Sequence, residues 1–283
     1  MRHAHVRTAA TAWAVWGWCL SVLLAAPTAA GDGVVVLPHA HAHNDYAHPR
    51  PLADALDHGF SSVEADVFPE DGDLLVGHVR RELRAGRTLR TLYLDPLRQR
   101  LEAHGAVHAG GPPFTLLVDF KTDGAAAYAL LAEQLRPLRR FLTSAPGARP
   151  PLEVIVSGAR PIEAIAADPD RLVGIDGRPE DLDRDDRPAA LVPLVSERWG
   201  RFFTWIGTGE MPAGERATLD GLVARAHARG QRLRFWATPE RPGCWRVLRD
   251  AGVDLVGTDD LAALAEFFHG APADPLRAPG ATP

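Results

Sequence analysis

Cysteine is nearly absent from this chain of 283 residues, in which the two cysteines are Cys19 and Cys244. Cys19 falls in an N-terminal segment with the pattern of a secretory signal, so the mature chain would keep one thiol and could form no internal disulfide. This excludes the class of small exported domains that disulfides hold together. We predict that Cys244 is a buried structural thiol, because no histidine lies near it in the sequence to activate it as a nucleophile.

Long apolar runs are also missing, with the exception of residues 12–26. This run of about 15 residues is shorter than the ~20 that a membrane-spanning helix needs. Arg2 and Arg7 precede it and small residues at 28–30 follow it, as in a secretory signal peptide. No Arg-Arg pair precedes the run, which disfavours the twin-arginine route. We therefore predict a signal peptide at 1–30, Sec-type secretion and an extracellular protein, with an uncleaved membrane anchor as the alternative.

Basic runs are absent as well. The formal net charge is −5, and it becomes −7 without residues 1–30, which contain two arginines and no acidic residue. An acidic protein without a basic cluster is a poor ligand for nucleic acid, and it lacks the charges that hold a protein on an anionic membrane. We expect a monomer with a small-molecule or lipid substrate, no nucleic-acid partner, and at most a transient contact with a membrane surface.

Eight short, mostly apolar and β-branched runs alternate with helical patterns along the chain. The runs lie at residues 34–38, 62–68, 114–121, 152–157, 172–176, 191–195, 232–237 and 253–258. Such runs are typical of strands buried on both faces, and their alternation with helices predicts a (β/α)8 barrel over residues 31–270. An open doubly wound sheet is the alternative, but the first strand lacks the glycine-rich phosphate loop typical of that fold. Residues 271–283 are rich in Pro and Ala and are predicted to be disordered.

Acidic residues stand near the ends of two neighbouring predicted strands. Glu64 and Asp66 share a strand face, as do Asp119 and Lys121, because residues two apart point the same way. The C-terminal strand ends form the active site in barrels of this type. Three converging carboxylates repel one another unless a cation lies between them, and oxygen ligands suit Mg²⁺ or Ca²⁺. We predict one divalent cation on Glu64, Asp66 and Asp119, with Lys121 as a fixed positive charge for a phosphate oxygen.

Two histidines complete this group. His43 follows the first predicted strand, and His78 ends a small extra strand predicted at 74–78. Paired imidazoles can take a proton from a nucleophile and give one to a leaving oxygen, each contributing on the order of 10²–10⁴ in rate. A metal would neutralise charge on the phosphoryl oxygens. The residues themselves thus indicate metal-assisted cleavage of a phosphodiester.

The chain resembles the phosphatidylinositol-phospholipase-C-like phosphodiesterases, in the branch labelled altered inheritance of mitochondria protein 6. The resemblance covers about residues 39–268. It rests on HAHNDY (41–46), PLADALDHGFSSVEADV (51–67), LLVGH (74–78), RTLRTLYLDPL (87–97), LLVDFK (116–121), GTGEMP within 205–212, RFWATPE (234–240) and GVDLVGTDDL (252–261).

The superfamily includes glycerophosphodiester phosphodiesterases and sphingomyelinases D, and the resemblance implies roles for individual residues. His43 and His78 would be the two catalytic histidines. Glu64, Asp66 and Asp119 would be the metal ligands, with Lys121 beside the phosphate, in the Asp-x-Lys form similar to sphingomyelinase D. Trp236 matches an aromatic residue that lines the substrate pocket. Asn44 stands where glycerophosphodiesterases carry a phosphate-binding arginine, and we expect it on the substrate side.

These observations lead to one functional hypothesis and two alternatives. The hypothesis is a metal-dependent phosphoric diester hydrolase or lyase that acts on a phospholipid-type or glycerophosphodiester-like substrate. The first alternative is a catalytically silent binding protein of the same fold. The second is a secreted zinc-binding protein that uses the histidines at 39, 41, 43 and 48. An aromatic segment (Trp199, Phe202, Phe203, Trp205) predicts either a loop packed on the barrel or an apolar lid for a lipid chain.

Overall fold

The computed structural model describes Met1 and residues 33–143 and 149–270. Apart from Met1, the predicted signal peptide lies outside the described residues, as does the predicted tail at 271–283, and both stay predictions. From residue 33 onward, all described residues belong to one unit, Gly31–Pro283. No helix in the described part of the chain is long and apolar enough to cross a bilayer.

Eight parallel strands form a closed barrel, because β1 pairs with both β2 and β9. The strands are Leu37–Ala42 (β1), Phe60–Glu70 (β2), Asp73–Val76 (β3), Phe114–Phe120 (β4), Leu152–Gly158 (β5), Gly174–Gly177 (β6), Leu194–Arg198 (β7), Arg232–Trp236 (β8) and Leu255–Thr258 (β9). β3 is the predicted extra strand, and it pairs antiparallel with β2. The (β/α)8 barrel is therefore confirmed, and the open doubly wound sheet is wrong.

Helices surround this sheet. In the described ranges the α-helices are Ala53–Asp57 (α1), Asp95–His104 (α2), Gly124–Leu135 (α3), Arg139–Leu142 (α4), Ile162–Ala167 (α5), Ala213–Ala228 (α6), Pro242–Ala251 (α7) and Leu261–Gly270 (α8). Single turns of 3₁₀ helix lie at Asp45–Ala47, Arg80–Glu82, Arg136–Leu138, Pro179–Asp183 and Trp199–Arg201, and a π-helical turn at Arg90–Leu94 precedes α2. Pro137 falls in the 3₁₀ turn between α3 and α4, where its missing N–H interrupts the α-helical bonding.

The first strand lies further along the chain than its apolar residues indicate. The apolar run predicts a strand at 34–38, whereas β1 is Leu37–Ala42. Ala40 and Ala42 alternate with histidines, and both alanines are fully buried. This alternation is a strand pattern of period two that the polar histidines conceal. As a result His41 lies inside the strand, fully buried, and His43 directly follows it.

The barrel interior has an apolar floor below a polar layer. Leu117, Ile155, Leu194 and Leu255 form a small buried cluster of their own. The much larger apolar core contains residues from the strands and from the surrounding helices. Positions two residues further along β4 and β5 are Asp119 and Ser157, so the polar layer begins directly above the floor. Cys244 lies in the larger core, so its predicted burial is confirmed, and this burial raises the pKa of its thiol to about 12.

Candidate active site

Three carboxylates meet at the C-terminal edge of β2 and β4. Asp66 and Asp119 are register partners on these adjacent parallel strands, and Glu64 lies two residues before Asp66. One oxygen from each of the three carboxylates lies within 4.8 Å of the others. The structure thus brings together the three residues that the sequence predicts as metal ligands.

Two cationic side chains from the protein partly neutralise this group. Arg234 of β8 crosses the barrel and donates from Nη2 to Oε2 of Glu64 at 2.6 Å, and both side chains are buried. Lys121, the only lysine in the sequence, places Nζ 2.8 Å from Oδ2 of Asp66 and 3.2 Å from Oδ1 of Asp119. Three carboxylates therefore share two fixed cations, which leaves an excess of negative charge.

The protein donors contact one oxygen of each carboxylate. Oε2 of Glu64, Oδ2 of Asp66 and Oδ1 of Asp119 interact with the protein donors. Oδ1 of Asp66 is buried and has no hydrogen-bond partner within the described ranges. A buried carboxylate oxygen without a partner is costly unless a ligand satisfies it. One oxygen from each of the three carboxylates makes a donor set that fits Mg²⁺ or Ca²⁺ better than a soft metal.

The pKa values of Glu64 and Asp119 are shifted in opposite directions. Burial tends to raise the pKa of Glu64, but Arg234 and the hydrogen bond from His41 outweigh it and hold the pKa well below its usual range. Burial raises the pKa of Asp119; Lys121 opposes this in part, and the charges of Asp66 and Glu64 add to it. Glu64 is therefore a firmly ionised group, whereas the charge on Asp119 is one that a bound cation would favour.

His43 is held by an acidic residue from the opposite end of the sequence. Its Nδ1 lies 2.8 Å from Oδ1 of Asp259, which directly follows β9. Burial opposes protonation of His43, but the bond to Asp259 and the charge on Glu64 raise its pKa above the usual value. With Nδ1–H donated to Asp259, Nε2 of His43 is the nitrogen left for a substrate.

The predicted substrate-side residue Asn44 belongs to this arrangement. Nδ2 of Asn44 donates to Oδ1 of Asp259 at 3.2 Å, and its own Oδ1 lies 2.6 Å from the Tyr46 hydroxyl. Its backbone has φ 49°, in the left-handed region that asparagine tolerates better than most residues. The side chain of Asn44 thus braces the His43–Asp259 pair.

His78 is oriented in the same way by a different carboxylate. Its Nδ1 lies 2.8 Å from Oδ2 of Asp66, and its side chain is 60% exposed. Tyr46 lies beside this pair, with its hydroxyl 2.7 Å from Oδ2 of Asp66 and 3.3 Å from Nδ1 of His78. Burial and the charge of Asp66 raise the pKa of Tyr46, so it stays a hydroxyl donor. Both histidines therefore use Nδ1 for a carboxylate, and no described residue bonds to Nε2 of either ring.

His41 has a structural role and not that of a metal ligand. Its Nδ1 accepts from the Ser62 hydroxyl at 2.7 Å, and its Nε2–H donates to Oε2 of Glu64 at 3.3 Å. Burial and Arg234 lower the pKa of His41 to about 3, so the ring is neutral. In the described residues the carboxylate trio is the one cluster suited to a metal, and no histidine belongs to it. The geometry therefore gives no support to the zinc alternative.

Trp236, at the end of β8, stands at the mouth of the barrel and is 37% exposed. It lines a small cavity of about 90 Å³ together with His43, Arg234 and Asp259. The next residue, Ala237, has φ 52°, which is a strained backbone for alanine and is typical of functional sites. The structure thus places Trp236 beside His43, where the sequence predicts a substrate wall.

The aromatic segment after β7 is mostly packed. Trp199, Phe203 and Trp205 are buried, and the rings of Trp199 and Phe203 lie 5.6 and 5.5 Å from that of Phe235. The packed-loop prediction is therefore confirmed for these three residues, and the lid prediction is wrong for them. Phe202 is half-buried against Phe203.

The sequence does not predict three residues of the site, Tyr46, Arg234 and Asp259, and it offers His41 only as a zinc ligand. Tyr46 lies within the HAHNDY segment and Asp259 lies within GTDDL, so the resemblance covers both residues without implying a role for either. An arginine inside an otherwise apolar strand, as in LRFW, is the signal that could have identified Arg234, because a buried charge needs a partner.

Comparison with known proteins finds similar sequences over most of this chain. The family described as "AIM6-like phosphodiesterase domain" matches residues 32–112, which include His43, Glu64, Asp66 and His78. Altered inheritance of mitochondria protein 6 of Eremothecium gossypii is 30% identical over 279 residues, which cover 83% of this chain and 70% of the relative. The chain belongs to the altered inheritance of mitochondria protein 6 family. The Arthroderma benhamiae homologue of this family is 29% identical over 279 residues, which cover 86% of this chain and 87% of the relative.

Solved structures share the fold of this family member at low sequence identity. A glycerophosphodiester phosphodiesterase from Agrobacterium tumefaciens superposes with a TM-score of 0.52 and 13% identity, covering 83% of this chain and all of that one. A phosphodiesterase from Oleispira antarctica, solved with the product sn-glycerol-3-phosphate, gives a TM-score of 0.50 and 17% identity, covering 82% and 97%. The barrel is therefore of the same type as that of glycerophosphodiester phosphodiesterases.

Proposed function

We propose that this protein is a metal-dependent phosphoric diester hydrolase or lyase in which His43 and His78 act as general acid and base. One observation carries the proposal. Two imidazoles, each fixed through Nδ1 by a carboxylate, flank three carboxylates that each offer an oxygen within 4.8 Å of the others. A binding pocket without turnover has no need of two imidazoles oriented in this way.

The residues of the site have three roles: metal binding, phosphate binding and proton transfer. Glu64, Asp66 and Asp119 would hold Mg²⁺ or Ca²⁺, which supplies positive charge to the phosphoryl oxygens when bound. The ammonium group of Lys121 binds a further phosphate oxygen. One histidine takes the proton of the attacking hydroxyl at Nε2 as the new P–O bond forms. The other gives its Nε2 proton to the departing oxygen as the old P–O bond breaks.

We propose that the attacking hydroxyl belongs to the substrate. A hydroxyl already placed beside the phosphate has a large entropic advantage, and the product is then a cyclic phosphate that water can open later. The substrate class is a phospholipid-type or glycerophosphodiester-like diester, which the name of the Oleispira antarctica product complex supports. Export by the signal at 1–30 and a monomeric state belong to the same proposal.

The test is a phosphodiester panel with Mg²⁺, Ca²⁺ or EDTA, followed by ³¹P NMR so that a cyclic product is seen directly. We expect cleavage with metal and none with EDTA. His43→Ala and His78→Ala should each lower the rate on the order of 10²–10⁴-fold with little change in thermal unfolding. No turnover of any diester with either metal would favour the silent binding protein. Tightly bound zinc in the purified protein, without turnover, would favour the zinc-binding alternative.

The pairing of His43 with Asp259 predicts a shifted pH profile. Asp259 raises the pKa of His43, so Asp259→Asn should lower that pKa and move one limb of kcat/KM to lower pH. If His43 is the base, the acidic limb moves; if it is the acid, the alkaline limb moves. The profile is measured on a chromogenic diester with saturating Mg²⁺. Unchanged limbs would show that the Nδ1 contact does not tune His43, and Asp260→Asn is the neighbouring control.

A further inference from the structure

The mouth of the barrel is electrically asymmetric. The carboxylates of the candidate site lie on β2 and β4, whereas the next three strands around the barrel, β5, β6 and β7, end in or lead into arginines. Arg160 follows β5, Arg178 follows β6, and Arg198 ends β7. We refer to these three arginines as the arginine rim.

Two arginines of the rim contact the same residue, Asp176. The side chain of Asp176 is buried, and its Oδ2 accepts from the Ser157 hydroxyl at 2.7 Å and from Nη1 of Arg178 at 3.0 Å. Arg160 donates to the backbone carbonyl of Asp176 and forms no ion pair with any described residue. The Nε of Arg160 is buried and has no hydrogen-bond partner among the described residues. A partly buried guanidinium in this state is costly unless an anion joins it.

The electrostatics of Arg160 agree with this geometry. Burial lowers the pKa of Arg160, and the neighbouring charge of Arg178 lowers it further. The charges of Asp176, Asp181 and Asp119 each raise the pKa of Arg160, but they offset the lowering only in part. An incoming anion would therefore relieve a repulsion that already exists between Arg160 and Arg178.

The arginine rim lies within reach of a substrate at the carboxylates. Ser157 is the register partner of Asp119, and Asp176 follows the register partner of Val156, so the three residues occupy neighbouring strands. Neighbouring strands are about 4.8 Å apart, which places Asp176 roughly 10 Å from Asp119. Gly158 lies between Ser157 and the rim and has a φ of +68°. A Cβ at this position would lie 2.5 Å from Oδ1 of Asp119, so glycine leaves the space beside this carboxylate open.

The third arginine of the rim, Arg198, lies beside Trp236 at the barrel mouth. Arg198 is exposed, forms no ion pair with a described residue, and places its guanidinium 6.0 Å from the ring centre of Trp236. Arg201, the next arginine along, is by contrast occupied by Glu180 and Glu197. Quaternary ammonium groups bind on open aromatic faces, and a guanidinium beside Trp236 disfavours such a cation there.

We propose that the arginine rim binds a second anionic group of the substrate, so that the preferred diester carries a carboxylate or a further phosphate on the arm that is not the leaving group. A choline-type cationic arm is disfavoured. The inference rests on the proposed function, because it assumes that the scissile phosphate lies at the carboxylates and Lys121.

The test compares three 4-nitrophenyl phosphodiesters that differ in one substituent. Their arms are 2-hydroxypropyl, 3-carboxy-2-hydroxypropyl and 2-hydroxy-3-(trimethylammonio)propyl, so each keeps a hydroxyl next to the phosphate. Each kcat/KM is divided by the rate without enzyme. We expect the anionic arm to exceed the neutral arm by about 10-fold or more, the gain typical of one charge-assisted contact, with the cationic arm lowest. Equal values, or preference for the cationic arm, would overturn the inference.

Variants connect this preference to the rim. Arg160→Gln and Arg198→Gln should each lower the anionic-to-neutral ratio about 5-fold or more, with the neutral substrate changed less than about 3-fold. Arg160→Lys keeps the charge and should keep most of the ratio. Arg184→Gln, which alters an exposed arginine paired with Asp186, is the matched control. Thermal unfolding identifies any variant that fails to fold. An equal loss of kcat/KM on the anionic and the neutral substrate would contradict the proposed role of the arginine rim.

A binding measurement separates the two proposals. If no diester is cleaved with metal, the proposed function fails, and calorimetry then compares propane-1,3-diyl bisphosphate with propyl phosphate in Mg²⁺. The bisphosphate should bind about 10-fold more tightly or better, and Arg160→Gln should remove the difference. If the wild-type protein binds the two ligands equally, the proposal that the arginine rim binds a second anionic group is wrong, and this result does not depend on turnover.

Discussion

Replacement of Asp66 by Asn is expected to lower kcat/KM about 1000-fold and to abolish the response of the protein to Mg²⁺ or Ca²⁺. Oδ2 of Asp66 receives Nδ1 of His78, Nζ of Lys121 and the Tyr46 hydroxyl, all within 2.8 Å. Its Oδ1 is buried and has no hydrogen-bond partner among the residues that the structure describes. An amide of the same shape must turn an NH₂ group either toward these donors or toward the cation, so one of the two functions is lost whichever way it lies.

The measurement combines kinetics with metal titration. Calorimetry and thermal unfolding are recorded for the wild-type protein and Asp66→Asn, with and without Mg²⁺. The wild-type protein should unfold at a higher temperature with metal, because a ligand that binds only the native state stabilises it. Asp57→Asn changes an exposed aspartate paired with Arg50 and should leave both readouts unchanged. An Asp66→Asn protein that keeps its metal response would show that the trio is not the metal site.

The central position of Asp66 was partly predictable from the sequence. A strand of alternating acidic residues at Glu64 and Asp66 predicts two carboxylates on one face, and parallel pairing predicts that Asp119 joins them. The closed barrel follows from eight strand–helix repeats in the same way. The boundaries of β1 did not follow, because its histidines interrupt the apolar run on which strand prediction depends.

Asp259, which orients His43, and Arg234, which neutralises Glu64, were not predicted, because their contacts join distant parts of the chain. Asp259 contacts His43 across 216 positions, and Arg234 contacts Glu64 across 170. Such pairs depend on how the barrel closes, on strand register and on tilt, and no local periodicity encodes them. The arginine rim has the same origin, since three arginines from three separate strand ends meet only in the folded chain.

Replacement of Arg234 by Met is expected to destabilise the fold by about 3–5 kcal/mol, the cost of leaving one partner of a buried ion pair alone. Arg234 and Glu64 are 3% and 6% exposed, and the His41 ring, the other side chain that touches Glu64 Oε2, is neutral. The methionine fills similar volume, so the loss comes from the uncompensated carboxylate and not from a cavity. Urea unfolding at pH 7 in EDTA measures the change, with Arg216→Met, an exposed arginine paired with Asp220, as the control.

The pH dependence of this loss identifies its cause. Arg234 is the main group that lowers the folded-state pKa of Glu64, so its stabilisation is present above the ordinary glutamate value of about 4.3 and is lost as the pH falls below it. The difference between wild-type protein and Arg234→Met should therefore be full at pH 7 and shrink in acid. Glu64→Gln combined with Arg234→Met should recover much of the stability, because the double variant leaves no buried charge unpaired. A single variant less than about 1 kcal/mol below wild type, or a double variant no more stable than the single, would contradict this account of the ion pair.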